Sequence, residues 1–268
     1  MLGRVGVRLY LEAARRSFQR HLAYRSATLS GLFTNSVFGV LLASVFIALY
    51  RSRGGGSVAG FNQAEALTYI WIGQAMIMVI YMWSWWEVAV AIQSGDVVGD
   101  LLKPLDYFAF WLSRDLGRAG CHVLTRFVPT LLIGALLYDL ALPGTPLTWL
   151  AFGASLILAV VVSFAFRFLL NLTAFWLTDI RGVGGLALVA TTFLSGFLVP
   201  IPFFPSWLRA LADFLPFRAI IMLPIEILLG HGSALAALGL QAGWALVLCL
   251  ACEGAMALAV RKVVVQGG

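Results

Sequence analysis

Apolar residues along this 268-residue chain gather into long blocks, separated by short polar or proline-rich interruptions. A membrane helix needs about 20 consecutive, mainly apolar residues. Windows of that size predict six spans: Ala27–Tyr50, Glu65–Ile92, Gly120–Leu140, Leu147–Leu177, Val183–Val199 and Ala234–Ala259. The fifth is short because Pro200 stops it. The fourth is long enough to protrude by a few turns, at about 1.5 Å of rise per residue.

Two segments fit neither a span nor a plain loop. Over residues 1–25, Val7, Leu11, Ala14, Phe18 and Leu22 recur at helical spacing, while Arg4, Arg8, Glu12, Arg15 and Gln19 fall opposite. That pattern predicts an amphipathic helix lying in the membrane interface, held by apolar burial and anionic lipid. In Val199–Gly232, Pro200, Pro202, Pro205, Pro216 and Pro224 cut an apolar stretch into pieces too short to cross. Trp207, Leu208, Leu211 and Leu215 mark one face of a short helix there. Irregular backbone survives at membrane depth only where protein or a wet cavity satisfies it. Residues 200–233 are therefore expected to form short re-entrant helices. The predicted fold class is an all-α integral membrane protein, one transmembrane domain over 1–268.

Composition agrees with the pattern. Apolar residues make up 61% of the chain and charged ones 11%, with a mean hydropathy of +0.94. A soluble domain would show about 45–50% and about 25%. The net charge of +6 then reports topology rather than nucleic acid, because basic residues concentrate in cytoplasmic loops. Arg4, Arg8, Arg15, Arg16, Arg20 and Arg25 precede the first span; Lys103, Arg114 and Arg118 lie between spans two and three, with Arg126 close to the same side. Arg181 sits between spans four and five, and Arg261 with Lys262 near the chain end. Only Arg51, Arg53, Arg209 and Arg218 fall on the other side, so both termini are expected in the cytoplasm. The basic, interrupted start does not read as a cleavable signal peptide. Cys121, Cys249 and Cys252 lie in or beside apolar runs and read as reduced thiols rather than a disulfide framework.

Charge inside a span is costly and draws attention. Glu87, Arg126, Arg167 and Glu253 fall within or beside spans, toward their cytoplasmic ends, where two acids and two bases are candidate ion pairs or gating groups. Ala27, Gly31, Asn35, Gly39 and Ala43 repeat every four residues in the first span, and Gly239 and Gly243 repeat that spacing in the sixth. Such stripes let helices approach closely, within one chain or between two copies.

Several chemistries lack their residues. The cluster Arg53–Phe61, "RGGGSVAGF", has no lysine for a phosphate loop. His21, His122 and His231 fall in different regions, so no metal site is expected. Ser195-Gly196 superficially matches a membrane serine protease, but His122 lies at the opposite end of its span.

The segment "GDLLKPLDYFAFWLSRDLGR", Gly99–Arg118, and the run "SGFLVPIPFFPSWLRALADFLPF", Ser195–Phe217, carry a resemblance. With the basic N-terminal helix and six spans, the chain resembles a permease subunit of the ABC-2 class of ATP-binding-cassette exporters, in its drug and natural-product export branch. The resemblance implies a bacterial plasma-membrane half-transporter that pairs with a second permease chain, identical or sister. ATP and Mg would bind a separate ATPase subunit, with no cofactor on this chain. Residues 93–118 would be the coupling segment. Gly95, Asp96, Asp100, Leu101, Leu102, Lys103, Pro104, Leu105, Asp106 and Tyr107 would dock the ATPase, with the leucines as anchors and the charges as rim. Pro200, Pro205, Trp207, Leu211 and Pro216 would belong to the outer re-entrant gate. Asn35, Trp71, Gln74, Met78, Thr191, Thr192 and Ser195 are expected, from helix position, to line the pathway. An ion-coupled secondary transporter is the alternative, although no inverted repeat or midplane charge supports it. A lipid-modifying enzyme would have only Glu87 and Glu253 as acids.

Overall fold

The computed structural model describes residues 2–81 and 86–262. The described residues are mostly helical. It opens with α1 (Leu2–Ala23), α2 (Arg25–Ser52), α3 (Gln63–Ile80), α4 (Glu87–Ser94) and α5 (Val97–Leu101). Then α6 (Tyr107–His122) continues through a π-helical turn, Val123–Phe127, into α7 (Val128–Leu137). The remainder is α8 (Pro146–Leu172), α9 (Arg181–Leu194), α10 (Ser206–Phe214), α11 (Met222–Leu229) and α12 (Ala234–Ala259). Four continuous helices are long and apolar enough to cross a membrane: Ser26–Ser52, Tyr107–Leu137, Pro146–Phe175 and Ala234–Lys262.

Helix α3 forms the centre. Its start is fixed by a capping box, in which Asn62 accepts from the Glu65 N–H and Glu65 accepts from the Asn62 N–H. Fourteen of its eighteen residues are buried, all round rather than on one stripe. A helix apolar on every side belongs in the middle of a bundle. It ends at Tyr81, which takes a left-handed conformation. The expected second span, Glu65–Ile92, is thus divided into α3 and α4, with residues 82–85 outside the described part.

The expected first stripe of small residues is a packing surface inside the chain. The Trp71 ring lies 3.1 Å from where a Cβ on Gly39 would stand, and the Arg126 guanidinium fills the place of one on Gly31. Asn35 donates to the Gln74 carbonyl at 3.2 Å. Gly239 and Gly243 on α12 instead meet open space.

Helix α6 begins well before the expected third span at Gly120. Asp106 caps it by accepting from the Ala109 N–H at 2.6 Å. The cap lets the helix form across residues whose charge reads as loop in the sequence, so Asp115 and Arg118 lie inside a helix and are buried. Helix α1 packs along α6 so closely that a Cβ on Gly117 would strike the Ala14 backbone. Ala14 and Phe18 of the predicted apolar stripe are half-buried, whereas Val7, Leu11 and Leu22 remain exposed.

The expected fifth span corresponds to α9, fourteen residues, or about 21 Å at the helical rise. It stops at Gly196, whose positive φ of 85° turns the chain and whose carbonyl accepts from Tyr69 at 2.8 Å. Within 200–233 the pieces differ in kind. Helix α10 exposes Trp207, Leu211 and Phe214, whereas α11 is largely buried. Arg218 joins them, reaching Asp213 on one side and both carboxylate oxygens of Glu226 at 2.9 Å on the other. Pro200 and Pro216 are buried at the turns, and Pro205 stands immediately before α10.

Candidate functional site

Between α4 and α6 the chain makes a compact polar turn. Gly95 ends α4 with a φ of 85°, a conformation a side chain resists. Ser94 donates to Asp96 at 2.7 Å beyond it. Val97 is buried, and Val98 and Leu101 pack against the bundle core, so α5 is clamped from within. Lys103 reaches Asp100 at 2.6 Å, and the Leu105 N–H bonds back to the Lys103 carbonyl, setting the tight turn at Pro104. Asp106 then ends the turn by capping α6, while its own N–H donates to the Tyr10 hydroxyl of α1 at 3.0 Å.

The three expected leucine anchors part company here. Leu101 faces inward, Leu105 is half-buried, and Leu102 projects outward with 81% of its surface exposed. Around Leu102 stand Lys103, Pro104, Asp96 and Asp106, all exposed, whereas Tyr107 is buried. One apolar knob within a charged rim is the anatomy of a small interface.

Further along α6 lies a buried ionic cluster. Asp115 of α6 accepts from Arg118 at 2.9 Å and from Arg167 of α8 at 3.0 Å. The three residues are 6%, 5% and 7% exposed. Arg118 also donates to the carbonyls of Met78 and Val79, and Ser163 donates to that of Ile80 at 2.7 Å. These are the carbonyls that the end of α3 leaves without helical partners. At the start of α4, Asn171 of α8 accepts from the Ala89 N–H at 2.9 Å. Both ends of the interruption between α3 and α4 are therefore held by side chains from α6 and α8.

Among the described residues, Glu87, Arg126 and Arg167, of the four charges singled out within or beside the expected spans, are seen with other partners rather than with one another. Glu87 meets Arg114 at 3.3 Å, and Arg167 meets Asp115. Arg126 donates to the Ala27 carbonyl at 2.5 Å from the π-helical turn. Glu253 is exposed on α12 and makes no ion pair among the described residues. Asp115 and Arg118 were the missed partners; their three-residue spacing on one helix face was the available signal, but Arg167 lies 52 positions away.

The expected pathway residues are packed in the single chain. Trp71 is buried between Gly39 and Gly134, Gln74 is buried beside Asn35, and Met78 is half-buried with its carbonyl held by Arg118. Thr191 and Ser195 are buried and Thr192 half-buried on α9 and its end. The cavities around the α4–α6 turn are lined by other residues. Among the described residues no group of histidine, cysteine and carboxylate side chains could hold a metal ion.

Long apolar helices, a largely buried central helix and a charged turn between α4 and α6 define a multi-pass helical membrane protein. The model of the ABC-2 family transporter proteins matches residues 38–267, and the chain belongs to that family. It is a membrane permease by that membership. No curated protein matches the sequence closely enough to name as a relative.

Proposed function

We propose that the chain is the membrane-spanning half of an ABC-2 exporter, coupled to a separate ATPase through residues 95–107. Family membership supports the transport role, and the observation that carries the coupling site is Leu102. A large apolar side chain stands exposed on a turn braced by Val97, Leu101, the Lys103–Asp100 pair and Tyr10. A rigid turn presenting one apolar anchor suits docking, because little order remains to be imposed on binding. Helix α1 is tied to the same turn, so motion imposed there reaches α1 and α6 together.

In this reading α1 lies in the cytoplasmic interface, both termini face the cytoplasm of a bacterial cell, and the plasma membrane is crossed six times. Four crossings are the long helices; α3 with α4, and α9, make the other two. The segments from Pro200 to α11 dip into the outer side as a gate. ATP and Mg act on the partner subunit. The cargo pathway needs a second permease chain, identical or sister, because Asn35, Trp71, Gln74 and Thr191 are closed in by their own chain. Affinity purification from the native host tests the reading: an ATPase subunit is expected to co-elute. Cargo movement driven by an ion gradient without any ATPase would replace it with a secondary transporter.

A further inference from the structure

Phe110 and Arg114 stand one turn apart on α6 and form a ridge between two open grooves. On the α1 side lies a groove of about 500 Å³, with Leu9, Ala13 and Phe110 as apolar lining and Arg16, Arg20 and Arg114 at its margin. On the α4 side lies a groove of about 700 Å³, lined by Val90, Leu105, Tyr107 and Trp111 as well as the ridge. A third, small cavity is lined by Ser17, Arg20, Arg114 and Arg118 together with Glu87 and Asp115, so polar groups continue inward from the same point. Arg114 borders all three. Its guanidinium is held 4.3 Å above the Trp111 ring.

The acids at these grooves are already engaged. Glu12 is bound by Arg16 at 3.0 Å and Arg15 at 3.5 Å, Asp100 by Lys103, Glu87 by Arg114 at 3.3 Å, and Asp115 by Arg118 and Arg167. Arg20 makes no ion pair among the described residues, and Arg114, which meets Glu87 through one terminal nitrogen, keeps further N–H donors for a second anion. Apolar floors that meet at a cationic point match an anionic head bearing apolar chains, and guanidinium is the group that best fits phosphate.

We propose that this cleft binds one anionic phospholipid, its phosphate on Arg20 and Arg114 and its two acyl chains along the grooves flanking Phe110. The lipid would touch the inner side of the turn whose outer side carries Leu102. Binding needs neither an ATPase nor cargo, so its test is independent of the coupling reading. Purified full-length chain is titrated with phosphatidylglycerol or phosphatidylcholine and examined by native mass spectrometry. One phosphatidylglycerol is expected to be retained under conditions that strip phosphatidylcholine. R20Q and R114Q should each lower retention about tenfold, the loss of one charge-assisted hydrogen bond, while R51Q at the far end of α2 retains it. Arg20 is exposed, so R20Q reads the site even where R114Q disturbs folding. Equal retention of both lipids, or unchanged retention in R20Q, overturns the proposal. Displacement by inorganic phosphate also overturns it, assigning the cations to a soluble anion.

Discussion

Asp115 and Arg167 meet at 3.0 Å across α6 and α8, both almost fully buried. Arg118 completes the cluster and spends its remaining donors on the end of α3. The arrangement neutralises part of the buried charge and terminates the central helix in one device.

Removing the acid takes away the carboxylate that Arg118 and Arg167 share. Breaking a buried pair this way costs about 3–5 kcal/mol. Asp115→Ala is expected to lower the detergent-solubilised thermal midpoint sharply, and R167M less, since Asp115 keeps Arg118. A midpoint unchanged in D115A would show that the cluster is solvated.

Leu102 gives the opposite expectation. It is exposed, and surface substitutions usually change stability by less than about 0.5 kcal/mol. Leu102→Glu should leave the thermal midpoint in place and reduce ATPase co-purification at least about tenfold, as when a buried anchor is lost from an interface. Full ATPase retention by this variant would remove the coupling assignment.

Asp106 and Tyr10 are expected to act on local order. Replacing a capping aspartate costs about 0.5–2 kcal/mol. Loss of one hydrogen bond to a hydroxyl costs about 0.5–1.5 kcal/mol. D106A should speed amide hydrogen exchange over the first turn of α6, and Y10F should speed it at Asp106 while sparing Ala109. Equal protection in wild type and D106A would contradict the cap.

The two glycine stripes separate by packing. Gly39→Leu must displace the buried Trp71 ring, and overpacking of this kind costs about 1–3 kcal/mol. Gly239→Leu meets open space and should leave the isolated chain as stable as wild type. Thermal unfolding of the two variants in one detergent checks the contrast, and equal loss in both would refute it.

Much of the architecture was legible because membrane helices announce themselves by length and apolarity. The helices matching the first, fourth and sixth expected spans appear near their expected bounds, and the prolines after α9 break the chain where expected. Misplacement came where charge competed with capping. Asp115 and Arg118 look like loop residues in sequence, yet α6 absorbs them because Asp106 starts the helix early and Arg167 supplies a distant partner. The glycine at 95 and the GDLLKPLDY run identified the turn. Which of its leucines points outward depended on Val97 and Leu101 finding the core.

By itself the sequence determined that this chain belongs in a membrane, that its helices are numerous and apolar, and that a polar segment lies between the second and third apolar blocks. Those properties follow from local composition and spacing, which set solvent preference and helix limits. Only the tertiary structure decided which stripe packs inside the chain, which charges pair, and that Leu102 alone among the leucines of the turn is exposed. Each depends on residues far apart in sequence, where packing and desolvation choose among partners that local spacing leaves equivalent.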